Sequence, residues 1–154
     1  MKILVYLNFK MNEESLYLES VELLKELIST QSFSFHEENT ATLLENWLNK
    51  NSIPFKRHVN NIYCYNKYYD EEKPNILLNS HHDTVEPNDS YTNDPYEPIV
   101  DQGKLYGLGS NDAGASLVCL LSTFKFFYDS KNLNYNLIFL ASAEEEKSGE
   151  NGIK

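Results

Sequence analysis

Two histidines and an aspartate closely follow a short apolar run near the middle of the chain. The run is residues 76–78, and the polar side chains are His81, His82 and Asp83. A short apolar run bounded by prolines predicts a buried strand. Side chains just past the carboxyl end of such a strand lie at the rim of an α/β sheet, where ligands bind. Because His81 and Asp83 are two residues apart, they face the same side of an extended chain. This suggests a metal-bound imidazole whose second nitrogen is held by the acid.

Two acidic clusters further along the chain strengthen this hypothesis. Asp112 lies in the Gly-rich stretch 107–114, just before a helical pattern, and residues 144–146 are three glutamates at the end of a second apolar run. Each cluster has a simpler interpretation on its own. His81 could be a hydrogen-bonded core residue, Asp112 a helix cap, and the glutamates a solvated turn. Their occurrence together, at strand ends and at a helix start, favours a metal site.

The three motifs resemble those of a family of metal-dependent aminoacylases and deacetylases, the M20 metallohydrolases. That family includes acetylornithine deacetylase, succinyl-diaminopimelate desuccinylase and carboxypeptidase G2. The lead-in Gly-Lys-Leu-Tyr-Gly-Leu-Gly at residues 103–109 matches as well. The resemblance begins near Met11 and covers only the amino-terminal part of a family member. It implies an α/β fold, the αβα layered catalytic domain of a zinc hydrolase. That domain would be incomplete, with the dimerisation domain absent. Residues 11–154 would form this part, and residues 1–10 an extension of doubtful role.

The resemblance also implies a role for each site residue. The cofactors would be two divalent metal ions, zinc or alternatively cobalt. Asp112 would bridge them, while His81 would bind one ion and Glu146 the other. Glu145 would be the general base, and Asp83 would orient His81. The family pattern further predicts a cis peptide bond after Asp112. Zinc suits such hydrolysis because it lowers the pKa of bound water to about 7. His82 fills a variable position of the motif and is interpreted as structural.

The implied reaction is hydrolysis of the amide bond of an N-acyl amino acid. Deacetylation of N-acetylornithine in arginine biosynthesis is the first interpretation, and a dipeptidase or a desuccinylase of the same family is the alternative. A different class of interpretation is a non-catalytic, truncated remnant, since further acidic and histidine ligands of the family do not occur in these 154 residues. The resemblance also implies a homodimer for the full-length protein.

Composition narrows the partners and the compartment. The formal net charge of −10 argues against nucleic acid and against an anionic membrane surface as partners. Cys64 and Cys119 are far apart in sequence, which indicates a reducing compartment, and Cys119 is expected in the core. The chain contains no apolar run of roughly 18 residues that could span a bilayer. A cytoplasmic location is therefore expected.

Helical and alternating patterns predict the elements that position the site. A first helix is expected to begin with Asn12 as its cap. A capping box at Ser34 and Glu37 predicts the start of a second helix. The remaining predictions are one or two strands in residues 55–66, a long irregular loop at 86–100 beside the site, a helix at 114–129 and a central strand at 136–141.

Overall fold

The computed structural model describes the backbone of residues 2–153 and the side chains of residues 13–153. A four-stranded sheet and three helices form the body of the protein, which confirms the predicted α/β class. The elements in chain order are α1 (Lys2–Ile28), α2 (Glu38–Lys50), β1 (Lys56–His58), β2 (Asn61–Tyr65), β3 (Asn75–His81), β4 (Ile99–Asp101), β5 (Lys104–Tyr106), α3 (Ala115–Phe127) and β6 (Asn136–Ser142).

The order and direction of the strands bring the residues that follow β3 and those that follow β6 to the same end of the sheet. The order is β1-β2-β6-β3, so β6 is the central strand, as predicted. β6 runs parallel to β3, with Ser142 opposite His81, and antiparallel to β2. Because β3 and β6 run in the same direction, their carboxyl ends meet at one rim of the sheet. The residues that follow each strand are therefore neighbours in space.

The core lies between the sheet and the helices. α3 packs on β3 and β6, α1 packs on α3, and α2 contacts β2 and α1. α2 packs with its apolar face inward, since Ala41, Leu44, Trp47 and Leu48 are all buried. The largest apolar side chains that are fully buried come from four of these elements: Leu44, Leu48, Ile62, Leu117, Leu121, Phe124 and Phe139. Burial of this apolar surface is the main favourable contribution to folding.

Four local predictions were wrong. α1 begins at Lys2, so Asn12 lies inside the helix and does not cap it. No side chain caps α2, because Ser34 and Glu37 bond elsewhere. Cys119 is exposed on α3 and not in the core. The strand that ends at His81 is an edge strand, which leaves its first residues open on one side.

Exposure along β3 follows from its edge position. Ile76 is 41% exposed and Leu77 is 53% exposed, whereas the central strand β6 is buried along most of its length. Part of the segment predicted as an irregular loop forms strand β4, which pairs with β5 in a small hairpin. None of the helices that the structure describes is both long and apolar enough to cross a membrane.

Removal of residues 1–10 should leave the stability of the protein nearly unchanged. The side chains of these residues lie outside the described part of the structure, and their dispensability stays a prediction. Thermal unfolding of a full-length protein that begins at Met11, compared with one that begins at Met1, would measure the change in stability. A loss of stability comparable to removing a core residue would show that residues 1–10 belong to the fold.

Candidate metal centre

His81 is the last residue of β3, and the backbone beyond it fixes the orientation of its ring. Nδ1 lies 3.0 Å from the carbonyl oxygen of Asp83 and 3.4 Å from Asp83 Oδ1. An Nδ1–H that donates to these acceptors leaves Nε2 free to face the opposite side, where Asp112 Oδ1 lies at 3.1 Å. The hydrogen bond that His81 donates to the Asp83 side chain raises the pKa of His81 to about 9 against the lowering effect of burial. Nε2 is therefore the candidate ligand atom.

Asp83 is fully buried and connects two segments of the site, the end of β3 and the turn after β6. Its Oδ2 accepts hydrogen bonds from Ser34 Oγ (2.7 Å) and from the backbone N–H of Glu146 (3.0 Å). Its Oδ1 accepts one from the backbone N–H of Glu145 (3.1 Å). Burial raises the pKa of Asp83, but the hydrogen bonds from His81, Ser34 and the two amides outweigh this effect and lower the pKa to about 2. This carboxylate thus stays charged and links β3 to the turn after β6.

Asp112 reaches the site from an irregular turn, residues 110–114, between β5 and α3. Gly109, just before the turn, has a left-handed backbone (φ 72°), and a Cβ there would lie 2.7 Å from Thr84 Cγ2. Glycine is therefore needed at this position for both reasons. The peptide bond between Asp112 and Ala113 is cis, as predicted. The Asp112 side chain is 79% exposed and stands on the open side of His81.

Glu145 and Glu146 follow the end of β6 and face the same site. One ligand atom each from His81, Asp112 and Glu146 lies within 4.8 Å of the others, and Glu145 Oε2 lies 3.8 Å from His81 Nε2. Burial raises the pKa of Glu146, and nearby Asp112, Asp83 and Glu145 raise it further, while His81 lowers it. Three carboxylates this close repel each other, and a bound cation would offset that repulsion.

The chemistry of these donors fits a divalent metal ion. Imidazole nitrogen and carboxylate oxygen are ordinary ligands of zinc. Among the side chains of residues 13–153, His81, Asp112 and Glu146 form the only cluster of three such donors close enough to share an ion. Glu145 stands beside the cluster with 60% of its side chain exposed, where a water molecule or a substrate could reach it. Such an arrangement can bind a metal and transfer a proton next to it.

His82 and Glu144 lie beside the site but point away from it. His82 is buried, its Nε2 donates to the carbonyl oxygen of Asn60 (2.9 Å), and its Nδ1 lies 2.9 Å from Thr40 Oγ1. Burial lowers the pKa of His82 to about 4, so the ring stays neutral. Glu144 is buried and accepts hydrogen bonds from the backbone and side-chain amides of Asn151. Both residues therefore have structural roles, as interpreted for His82.

A cavity of about 400 Å3 opens next to the turn that carries Asp112. It is lined by residues 88, 90–94 and 97 of the long loop, residues 105 and 106 of β5, Gly107 and Ser110. Because the loop and Ser110 line the same cavity, and Ser110 is two residues before Asp112, the loop lies beside the site as expected. The cavity is a candidate place for part of a substrate.

Ser34 and Glu37 contact the site, although their sequence pattern predicted only a helix cap. Ser34 Oγ donates to Asp83, and Glu37 Oε1 accepts a hydrogen bond from the backbone N–H of Glu144 at 3.1 Å. The Ser-x-x-Glu spacing was the available signal, but it also matches a capping box, which is its commoner meaning. Only the tertiary structure distinguishes the two.

The fold and the site define an α/β protein with a candidate metal centre, and comparison with known proteins identifies its family. The sequence model of peptidase family M20/M25/M40 matches residues 77–154. The chain belongs to this family, which confirms the resemblance drawn from its motifs.

Individual relatives are similar to the chain in sequence, and solved structures are similar to it in fold. The chain is 25% identical over 139 residues to a succinyl-diaminopimelate desuccinylase of Nitratiruptor, an alignment that covers 89% of the chain and 37% of the relative. The dipeptidase Dug1p of Saccharomyces cerevisiae has a TM-score of 0.69 at 18% identity, over 89% of the chain and 34% of that structure. A dinuclear metal-binding M20 peptidase of Bacillus subtilis has a TM-score of 0.64 at 20% identity, over 86% and 37%. The chain thus spans little more than a third of the length of these proteins.

Proposed function

We propose that the protein hydrolyses the amide bond of an N-acyl amino acid with the help of two divalent metal ions. The observation that carries the proposal is the convergence of His81, Asp112 and Glu146 at one rim of the sheet, with Glu145 beside them. Zinc is the proposed ion and cobalt the alternative. Bound there, the ions would polarise the amide carbonyl and activate a water molecule.

Each residue of the candidate site would have a separate role in this reaction. Asp112, on its exposed turn, is proposed to bind both ions, His81 one of them and Glu146 the other. Asp83 holds the His81 ring so that Nε2 faces the site. Glu145 is proposed to accept the proton of the attacking water and to donate it to the leaving amine. Its position 3.8 Å from His81 Nε2 supports this role.

Three substrates are compatible with the proposal, and they differ in the acyl group and in the amino acid. N-acetylornithine follows from the motifs, a succinylated amino acid agrees with the Nitratiruptor relative, and a dipeptide agrees with the yeast structure. Assays of a full-length product on all three substrates, with zinc and with cobalt, would decide between them. If the metal-loaded protein hydrolysed none of the three substrates, that result would contradict the proposed function. A homodimeric full-length protein is part of the same proposal.

The 154-residue chain by itself should show no hydrolysis above a control with metal alone. A catalytic zinc normally has three protein ligands and a water, so two ions need more than His81, Asp112 and Glu146 provide. The chain should also self-associate. β3 is an edge strand of the sheet, because only its β6 side is paired. An unpaired edge with exposed Ile76 and Leu77 is a template for aggregation.

Two measurements test this expectation. Titration with zinc should show weak binding, and an assay on acetylornithine should show no turnover. Tight binding of two zinc ions together with turnover would contradict it, and would mean that a second subunit or a further residue completes the site.

A further inference from the structure

Glu37 is a completely buried carboxylate to which the proposed reaction assigns no role. Its exposed fraction is 0%, and each of its hydrogen-bond donors is an amide. Oε1 accepts from the backbone N–H groups of Phe35 (2.7 Å) and Glu144 (3.1 Å), and Oε2 accepts from Asn60 Nδ2 (2.9 Å). A buried carboxylate is costly unless such bonds satisfy it. The position of these bonds therefore indicates what the side chain does.

Two buried carboxylates together bind three consecutive backbone amides of the acidic turn. Glu37 accepts from the amide of Glu144, and Asp83 accepts from the amides of Glu145 and Glu146. Hydrogen bonds to ionised acceptors are stronger than those between neutral groups. The backbone of the turn is thus fixed from one side, which leaves the Glu145 and Glu146 side chains to face His81.

The same connection between α1 and α2 also contacts the segment after β3. Ser34 donates to Asp83 Oδ2, the backbone N–H of Thr84 donates to the carbonyl oxygen of Ser32 (2.8 Å), and Phe33 forms a parallel bridge with Thr84. Residues 32–37 therefore contact two of the three segments that carry candidate ligands, the end of β3 and the turn at residues 144–146. This connection is thus placed between His81 and the two glutamates, where it can set the distance between them.

We propose that Glu37 and Ser34 are positioning residues, which hold the turn at residues 144–146 at the correct distance from His81 for metal binding. The proposal rests on the proposed function for its consequence, because it assumes that Glu146 binds metal. The positioning itself is a property of the metal-free chain and can be measured there.

Amide hydrogen exchange in the metal-free, 154-residue chain tests the positioning. In Glu37→Gln the new NH2 group faces a donor of the network in either orientation of the amide, so at least one of the three hydrogen bonds is lost. Exchange at the amides of Glu144, Glu145 and Glu146 should become about tenfold faster, while that of Phe139 in β6 stays unchanged. Glu38→Gln, the same change at an exposed neighbour, should alter none of them. Faster exchange at Glu144 alone, or equally throughout β6, would overturn the proposal.

Ser34→Ala keeps the proposal testable if Glu37→Gln does not fold. It deletes one hydroxyl and should accelerate exchange at Glu145 and Glu146 several-fold. No change at either amide would overturn the role of Ser34, and in the absence of a folded Glu37 variant it would overturn the proposal.

A zinc titration then connects the positioning to the metal. Glu37→Gln should weaken zinc binding about tenfold in the otherwise unchanged chain and should have no further effect in a Glu146→Gln background, because the two residues act in series. An equal loss in both backgrounds would show that Glu37 acts only on the fold. Absence of zinc binding in the unchanged chain would count against the proposed function, and the exchange result would still decide the positioning.

Discussion

Replacement of Glu145 by glutamine should strongly reduce the proposed turnover of the full-length protein and leave its metal content unchanged. The amide has nearly the same shape as the carboxylate, but it cannot accept the proton of the attacking water. Loss of a general base lowers the rate by about 10²–10⁴-fold. Glu145 lies outside the group of three close donors, so the metal should stay bound. Steady-state rates together with metal analysis of the purified variant measure both quantities.

Glu146→Gln is the matched control for this experiment, since it makes the same chemical change one residue further on. It removes a candidate ligand, so one of the two metal ions should be lost together with activity. Equal metal loss in the two variants would contradict the division of roles between Glu145 and Glu146. A Glu145→Gln enzyme that kept most of its turnover would contradict the assignment of the base.

Asp83→Asn should destabilise the metal-free chain by about 3 kcal/mol, because it leaves buried donors without an acceptor. The carboxylate accepts from Ser34 and from the amides of Glu145 and Glu146, and an asparagine amide group would face at least one of these donors. Urea unfolding at pH 6 measures the loss. Asp89→Asn, in an exposed loop, should cost almost nothing. A loss below 1 kcal/mol in Asp83→Asn would show that the network is not important for stability.

The pKa shifts of Asp83 and His81 predict how the stability of the metal-free chain depends on pH. The pKa of Asp83 is lowered to about 2, so its contribution is present above about pH 4 and is lost as the pH falls towards 2. The pKa of His81 is raised to about 9, so its contribution is complete below about pH 6.5 and is lost as the pH rises through 9. The metal-free chain should therefore be less stable at pH 9 than at pH 6, and Asp83→Asn should remove most of that difference.

The residues proposed to carry the chemistry could be located in the sequence because their signals are local. His81 and Asp83 follow a strand two residues apart, Asp112 follows a Gly-rich turn, and the glutamates follow an apolar run. Each signal is contained in a few residues. The central position of β6 was also predictable, since a nearly continuous apolar run is typical of a strand covered on both faces.

What could not be predicted depends on contacts between distant parts of the chain. Ser34 and Glu37 have the spacing of a capping box, but their partners are Asp83, 49 residues away, and Glu144, 107 residues away. The edge position of β3 depends on the order of strands, which the apolar run at residues 76–78 does not encode. The exposure of Cys119 depends on which face of α3 packs on the sheet.

Zinc titration of the 154-residue chain tests the central claim, that His81, Asp112 and Glu146 form a metal site. Calorimetry at pH 7.5 in two buffers of different ionisation enthalpy gives both the affinity and the number of protons released. Because the pKa of His81 is about 9, binding should release close to one proton. Each of His81→Ala, Asp112→Asn and Glu146→Gln should weaken binding at least tenfold, while Glu71→Gln in an exposed loop should not. Equal affinity in all of these variants, with no proton released, would contradict the metal site.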